Sequence, residues 1–209
     1  RDTTRRIALH AYRRYAEIFG LQVPEKKLRK WAGPDIPYVP DRKTMELLLS
    51  QLSPRYKVLF EALLETGLRI GELLQIRVED LDTQKCSIRV SGRIVEKGGD
   101  SREIKVTEKL VSDILRFWSN RNPNDHLFNV TYNAVMHAIK AARKKATEKF
   151  GIPELRKIKI HTLRHYFATE LYARTKDILL VKQKLGHKSI KNTEIYTRIV
   201  PWDVKRYEV

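Results

Sequence analysis

The hydrophobic pattern of this chain changes its period once, and that change limits the folds open to it. Residues 86–106, CSIRVSGRIVEKGGDSREIKV, alternate apolar and polar side chains around turn signals at Ser91-Gly92 and Gly98-Gly99. This alternation predicts two or three short antiparallel strands. On both sides of the segment, from Asp41 onward, apolar residues recur at helical spacing. The sequence therefore predicts a mainly α-helical α+β domain with one small antiparallel β-sheet at about 86–106.

Residues that start and stop helices divide the rest of the domain. Asp41 is predicted to cap a helix over DRKTMELLLSQL, and Ser53 with Pro54 to begin the next, which Gly67 ends. A short helix, RIGELLQI, follows directly. Beyond the sheet, further helices are predicted at 107–120, 131–149, 162–175, 178–185 and 189–199.

The first forty residues have a different character. Residues 3–19 have helical spacing, with Gly20 placed to end the helix, and the next twenty residues contain four prolines and a cluster of cations. The chain also begins with Arg1 rather than methionine, which suggests a piece of a longer protein. We therefore predict the last helix of an N-terminal domain at 1–20, a linker at 21–40 and the main domain at 41–209.

Charge points to a polyanionic partner. Lys and Arg number 42 against 25 Asp and Glu, which gives a net charge of +17 and a pI near 10.0. Such a charge favours nucleic acid, although a lysine-rich surface on a highly charged soluble protein is the alternative. The single cysteine, Cys86, cannot form an internal disulfide, and no apolar run is long enough to cross a bilayer. A cytoplasmic protein without membrane contact is predicted.

Several side chains stand out because they are cationic, able to carry protons, or nucleophilic: Arg69, Lys97, His161, Arg164, His187 and Tyr196. Each has an ordinary alternative role, such as a helix cap, a solvated turn lysine or a packing tyrosine. His161 and His165 are four apart, as zinc ligands on a helix can be. No glutamate lies between them and no third ligand is evident, so no metal is predicted.

The order and spacing of these residues resemble the catalytic domain of the tyrosine recombinases, the phage-integrase and Xer-like family, from about Thr44 to Arg198. TGLRIGELLQIRVEDLD resembles the first motif of that family, with Arg69 as its first arginine and Glu72 as a supporting acid. HTLRHYFATEL followed by KQKLGHKSIKNTEIYT is similar to its second motif. The resemblance implies catalytic roles for the residues matched there: His161, Arg164, His187 and Tyr196.

The resemblance also implies a lysine on a β-hairpin turn, and EKGGDSREIKV places Lys97 there. The family often has another cation after the hairpin glycines, where this chain has Asp100, so Lys105 is the alternative to Lys97. Residues 1–20 resemble the last helix of the family's N-terminal DNA-clamping domain, which is otherwise missing. The tail, residues 201–209, is predicted to dock on its own or a neighbouring protomer.

The activity implied is site-specific DNA recombination, in which Tyr196 attacks a phosphodiester to form a 3′-phosphotyrosyl bond and release a 5′-hydroxyl. Residue chemistry agrees with this. Arginine forks match phosphate oxygens bidentately. A phenol of pKa near 10 lies roughly 4 kcal/mol from ionisation at neutral pH, and nearby cations reduce that gap. His161 is the candidate base, His187 a donor to a phosphate oxygen and Lys97 the acid for the leaving 5′ oxygen, with no cofactor.

The expected partner is double-stranded DNA, with a homotetramer on DNA and a monomer when free. The basic stretches 140–161 and 26–31 are predicted to contact phosphates, and the protein to be associated with the nucleoid. Two other functions stay open at this point. One is strand nicking and closing like that of type IB topoisomerases, and the other is non-catalytic DNA binding on a recombinase fold.

Overall fold

A computed structural model of the chain describes residues 15, 18–20, 36–92, 94, 101–118, 122–187 and 189–199. The chain divides into two units, residues 1–35 and 36–209. Of the first unit only Tyr15 and residues 18–20 are described, so most of the predicted helix at 3–19 lies outside the described residues. So do most of the predicted linker, Lys97 with its hairpin tip, and the tail at 201–209.

Helices dominate the described part of the second unit, as predicted. The α-helices are α1 (Arg42–Leu49), α2 (Pro54–Thr66), α3 (Ile70–Gln75), α4 (Glu108–Phe117), α5 (Tyr132–Phe150), α6 (Ile160–Thr175), α7 (Ile178–Leu185) and α8 (Ile195–Ile199). Short 3₁₀ helices occupy Val78–Asp80, Pro153–Lys157 and Ile190–Asn192. No described helix is both long and apolar enough to cross a membrane.

Helix starts follow the capping residues. The Asp41 carboxylate accepts a hydrogen bond from the Thr44 N–H at 2.7 Å, as predicted. Asp177 caps α7 by accepting from the N–H groups of residues 179 and 180. Ser53 occupies the cap position of α2, but its side chain makes no capping hydrogen bond, and Pro54 begins the helix.

In the part of the chain that the structure describes, the sheet has three antiparallel strands in the order β1 (Leu81–Asp82), β2 (Ser87–Val90) and β3 (Arg102–Lys105). Strands β2 and β3 pair with Val90 opposite Arg102 and Ile88 opposite Ile104. The antiparallel sheet is confirmed, but β1 precedes the predicted range of 86–106. A strand of two residues is too short to show alternation, which explains why the pattern missed it.

The prediction of one continuous helix at 189–199 is wrong in detail. A 3₁₀ turn at Ile190–Asn192 is followed by a separate helix, α8. The Ser189 hydroxyl accepts from the Lys191 N–H, and the Thr193 N–H donates to the Ile190 carbonyl at 2.7 Å. These local bonds close a tighter turn than an α-helix allows, because serine competes for backbone groups near helix starts.

Among the described residues, two hydrophobic clusters hold the domain together. The larger is formed by helices α1 to α5 and the sheet, and it includes Leu163 from α6. The smaller joins α6, α7 and α8, and its buried members are Ala168, Leu171, Val181, Leu185 and Tyr196. Helix α6 therefore contributes to both clusters. A side chain near its start, such as Arg164, lies where the two halves of the domain meet.

Candidate active site

The turn between α2 and α3 is shaped by a glycine. Gly67 ends α2 with a left-handed φ of +64°, and a β-carbon there would overlap the Phe167 ring of α6. The turn therefore lies directly against α6. Its Gly67 carbonyl accepts a hydrogen bond from Arg164 Nη1 at 2.8 Å. This contact fixes α6 relative to the turn from which Arg69 projects.

Glu72 is a buried carboxylate at the first turn of α3. It accepts from the backbone N–H of Arg69 at 3.0 Å and from Arg69 Nη1 at 2.9 Å. Arg164 Nη1 lies 3.7 Å from the same carboxylate. The side chain of Arg69 is 40% exposed whereas that of Arg164 is 2% exposed, so the pair spans the boundary between core and solvent. The two predicted arginines thus meet on one acid, although they are far apart in sequence.

Arg164 is the most deeply buried cation of the site. Besides Gly67, it donates from Nη2 to the Leu185 carbonyl at the end of α7, at 2.8 Å. Desolvation lowers the pKa of Arg164 to about 10, helped by Arg69 and opposed by Glu72. It therefore stays protonated at neutral pH. A guanidinium has five N–H donors, so these two hydrogen bonds leave further donors for an anion.

A third arginine, Arg102, lies in the same cluster, and sequence reasoning did not identify it. Its Nη2 is 3.5 Å from Glu72 Oε2, and its side chain is only 12% exposed. The alternation of side chains along β3 could have indicated that Arg102 faces inward, because it shares a face of the strand with the buried Ile104. Lys105, the alternative to Lys97, lies on the opposite face. Its Nζ donates to the Lys85 carbonyl at 2.9 Å.

The phenol of Tyr196 lies against helix α6. Tyr196 is 2% exposed, and its hydroxyl is 3.1 Å from Nδ1 of His165. Burial raises the pKa of Tyr196 to about 12, although Arg164 and Arg69 act in the opposite direction. The phenol is therefore fully protonated at neutral pH. His165, considered above only as a metal ligand, lies within hydrogen-bonding distance of it.

His161, the predicted base, is next to His165. Their rings meet edge to face, with centroids 4.8 Å apart. The pKa of His161 is lowered by desolvation, then by Arg164 and Arg69, and the pKa of His165 is lowered to about 4 by desolvation and His161. Both imidazoles are therefore neutral near pH 7, the state in which a histidine accepts a proton.

His187 follows the end of α7. Its Nδ1 is 3.0 Å from the hydroxyl of the buried Thr193, which fixes the ring orientation. Desolvation, reinforced by Arg164 and Arg69, lowers the pKa of His187 to about 3. The structure thus brings together Arg69, His161, Arg164, His187 and Tyr196. Lys97 lies outside the described residues.

These features define a class of site, a cationic cluster suited to an oxyanion with a potential nucleophile beside it. Within the described residues, no three side chains of the kinds that ligate metals come together as a metal site. The charge needed to hold an anion is present on the arginines themselves.

Residues 41–201 match the model of the phage integrase family. The chain belongs to this family, and its main domain is a tyrosine recombinase catalytic domain. Among its relatives, the tyrosine recombinase XerA of Saccharolobus solfataricus is 28% identical over 98% of this chain. The chain spans 66% of the length of that relative, just under two thirds.

Solved structures of recombinases have the same fold. The crystal structure of XerA recombinase is 28% identical, with a TM-score of 0.64 over 94% of this chain and 71% of that one. A XerH site-specific recombinase bound to a palindromic difH substrate, in a post-cleavage complex, is 25% identical. Its TM-score is also 0.64, over 82% of this chain and 52% of that one.

Proposed function

We propose that this chain is the catalytic part of a site-specific DNA recombinase that acts on double-stranded DNA through Tyr196. The observation that carries the proposal is that Arg69 and Arg164 both contact Glu72. The Tyr196 phenol lies against the helix that contains Arg164, α6, through its contact with His165. Two guanidinium groups on one rigid carboxylate form a preorganised site for a phosphodiester.

The reaction proposed is a transesterification. The Tyr196 oxygen forms a bond to phosphorus while the bond from phosphorus to the 5′ oxygen breaks, leaving a 3′-phosphotyrosyl linkage and a 5′-hydroxyl. Arg69 and Arg164 bind the nonbridging oxygens, where charge accumulates, and His187 donates a hydrogen bond to one of them. Loss of either arginine is expected to slow cleavage on the order of a thousandfold. The covalent linkage keeps the bond energy, so a free 5′-hydroxyl can reverse the step during strand exchange.

The phenol must lose its proton as it attacks. His161 was predicted from the sequence as the base, and the hydrogen-bonding distance from Tyr196 to His165 makes His165 a second candidate. Because the two rings touch, we propose that this histidine pair takes up the proton. Lys97 is proposed to supply the proton to the leaving 5′ oxygen.

Tyr196 is too buried to reach a phosphate from solvent. Its helix, α8, has only five residues, and Tyr196 is the buried residue that anchors it to the smaller cluster. DNA binding is therefore proposed to shift α8 and bring the phenol toward the arginines. A nucleophile protected in this way does not attack DNA before the site is assembled.

The oligomeric state, the location and the domain organisation of the protein are proposed as follows. We propose a homotetramer on DNA and a monomer when free, in the cytoplasm and associated with the nucleoid. Residues 1–20 are proposed as the end of an N-terminal DNA clamp, residues 21–40 as a linker and residues 41–209 as the catalytic domain. The relatives are named as recombinases, which favours recombination over topoisomerase-like relaxation or binding alone.

A nicked suicide duplex tests the activity, using sequences selected by covalent capture from a random pool. Loss of the short fragment after the nick prevents religation, so a covalent protein–DNA band accumulates. Wild type is expected to form this band and Tyr196→Phe to form none. Tyr166→Phe is the matched control, because burial also raises the pKa of Tyr166 to about 12 but its ring packs against the larger cluster.

Each result of this assay has a definite meaning. No captured DNA from wild type, or an equal band from Tyr196→Phe, contradicts the proposal. Relaxation of supercoils without any recombinant product supports the topoisomerase-like alternative instead. In the same assay, His161→Gln and His165→Gln identify which member of the pair is needed for fast cleavage.

A further inference from the structure

Arg102 is buried in a way that a purely structural arginine would not need. Its Nε and Nη1 atoms are shielded from solvent, and among the described residues neither has a hydrogen-bond acceptor. A buried donor without an acceptor is unfavourable, because it has lost its hydrogen bonds to water without replacement. Desolvation lowers the pKa of Arg102, and Glu72 opposes that effect. Natural proteins retain such costly groups where they serve a function.

The position of Arg102 links two parts of the site. On one side its Nη2 lies 3.5 Å from Glu72 Oε2, the carboxylate that orients Arg69. On the other side its guanidinium lies under the turn that ends α7. A β-carbon on Gly186 would be only 2.7 Å from Arg102 Nη1. Gly186 also has a left-handed φ of +66°, so both its conformation and its neighbour require glycine.

The same two parts hold Arg164. Arg164 contacts Glu72 at 3.7 Å and donates to the carbonyl of Leu185, the residue before Gly186. Arg102 therefore lies against two of the groups that hold Arg164, namely Glu72 and the turn at Gly186. The Gly186 turn leads directly into His187. Movement of Arg102 would displace Glu72, the acid that orients Arg69, and the Gly186 turn, which holds Arg164 through the Leu185 carbonyl and leads into His187.

The net charge around Glu72 also favours a site for an anion. Three guanidinium groups, those of Arg69, Arg102 and Arg164, surround one carboxylate, Glu72. The group therefore has two more positive charges than negative ones, in a partly buried setting where repulsion is weakly screened. An anionic ligand relieves this repulsion, and the ligand that the proposed function supplies is a phosphodiester.

We propose that Arg102 is a positioning residue for the oxyanion site, which holds Glu72 and the Gly186 turn in the geometry that Arg69, Arg164 and His187 need to bind a phosphate. This inference rests on the proposed function for its physiological ligand, but the oxyanion site can be probed without DNA. It adds a residue from the β-sheet to a site that the sequence motifs place on helices and a hairpin tip.

The test compares Arg102→Met with Arg102→Lys, and with Arg89→Met as the matched control. Arg89 is on the adjacent strand β2, is 64% exposed and pairs with Asp80, so its loss removes an equal charge from the same sheet but outside the cluster. The measurements are single-turnover cleavage of the captured duplex, DNA affinity, thermal unfolding, and binding of inorganic sulfate by calorimetry.

Arg102→Met is expected to slow cleavage on the order of tenfold to a hundredfold, the range seen when groups that orient catalytic ligands are removed. Its DNA affinity is expected to stay near wild type, because many surface phosphate contacts determine that affinity. Its unfolding temperature is expected to stay close to that of wild type, since the lost contact with Glu72 is offset by removal of two buried donors that lack acceptors among the described residues. Arg102→Lys is expected to recover part of the rate, and Arg89→Met to match wild type.

Two cleavage results would overturn the inference. One is a wild-type cleavage rate in Arg102→Met, and the other is a rate loss fully explained by unfolded protein. If wild type itself forms no covalent product, the proposed function fails and sulfate binding decides the role of Arg102. Weaker sulfate binding by folded Arg102→Met than by Arg89→Met supports the role, and equal binding overturns it.

Discussion

At the scale of single residues, Glu72 determines how the cationic side chains are arranged. It contacts Arg69, Arg102 and Arg164 while almost fully buried. Removing one partner of a buried ion pair leaves the other charges unpaired, which typically costs about 3–5 kcal/mol. Glu72→Gln keeps the side-chain volume but puts an amide N–H group among guanidinium donors. We expect a loss of free energy of unfolding of about 3 kcal/mol or more.

Urea denaturation measures this effect. Inorganic sulfate should recover part of the lost stability in Glu72→Gln, because an anion replaces the missing negative charge. The control is Glu46→Gln, since Glu46 pairs with Arg42 on an exposed helix face and should contribute less than about 1 kcal/mol. Equal losses in the two variants would show that Glu72 is not the centre of the cluster.

Sequence motifs predicted some of these residues and missed others for physical reasons. Arg69, Glu72 and Arg164 lie within short motifs, so their types and spacing could be recognised directly. The proposed roles of Arg102, and of His165 within the second motif, depend on contacts made across the fold, with Glu72 and with Tyr196. One-dimensional spacing does not encode such contacts. The inward-facing register of Arg102 in β3 was the one local signal available.

At the scale of elements, the close contact of α6 with the end of α2 positions Arg164. Gly67→Ala would force a β-carbon into the Phe167 ring as well as straining a left-handed backbone. Gly151→Ala is the matched control, because Gly151 also ends a helix with φ of +66° but a β-carbon there meets nothing within 4 Å. The control isolates the backbone strain, about 1–2 kcal/mol.

We expect Gly67→Ala to lower the free energy of unfolding by about 1–3 kcal/mol more than Gly151→Ala. It should also slow DNA cleavage, since the displaced Gly67 carbonyl accepts a hydrogen bond from Arg164. Chemical denaturation and the suicide-substrate assay measure the two effects. Identical stability of the two variants would mean that α6 moves away from the turn without loss.

Element boundaries were predictable where residues near the helix ends set them. Helix α7 has the predicted bounds of 178–185, because Asp177 caps its start and Gly186 ends it. The segment after it was not predictable to the same degree. Short-range bonds from Ser189 and Thr193 divide it into a 3₁₀ turn and α8, and apolar spacing alone does not distinguish these from one helix.

At the scale of the whole molecule, buried neutral histidines link stability to pH. In the unfolded chain these side chains take up protons below about pH 6.5, whereas in the fold His165 and His187 have pKa values of about 4 and about 3. The folded state therefore binds fewer protons between these values. The free energy of unfolding therefore has its full value above about pH 6.5. It decreases as the pH falls toward 4 and then 3, because the unfolded state binds the additional protons.

Urea denaturation at a series of pH values checks this expectation. The free energy of unfolding should fall on acidification through this range. His187→Asn should reduce the slope of this free energy against pH, because the unfolded variant no longer binds a proton at residue 187. A slope that is the same in wild type and in His187→Asn would contradict the low pKa assigned to His187.

The net charge of +17 leads to a prediction for DNA binding. Lys140 and Lys145 are exposed on α5, within the stretch predicted to contact phosphates. Changing both to glutamine should weaken binding to any DNA sequence and reduce the slope of log affinity against log salt by about one per lysine. The control is Lys109→Gln, since Lys109 pairs with Asp113 and Glu61. If Lys109→Gln reduces the slope as much as each of the two α5 substitutions does, a specific role for α5 is excluded.

If Tyr196 is the nucleophile, its phenol becomes bonded to DNA, and mass spectrometry of the trapped complex detects that bond. Nuclease and trypsin digestion should leave a nucleotide attached through phosphate to the peptide at 192–198, NTEIYTR, whose single tyrosine is Tyr196. We expect all covalent product to carry this modified peptide. A nucleotide attached to another peptide, or cleaved DNA with no attached peptide, would contradict it.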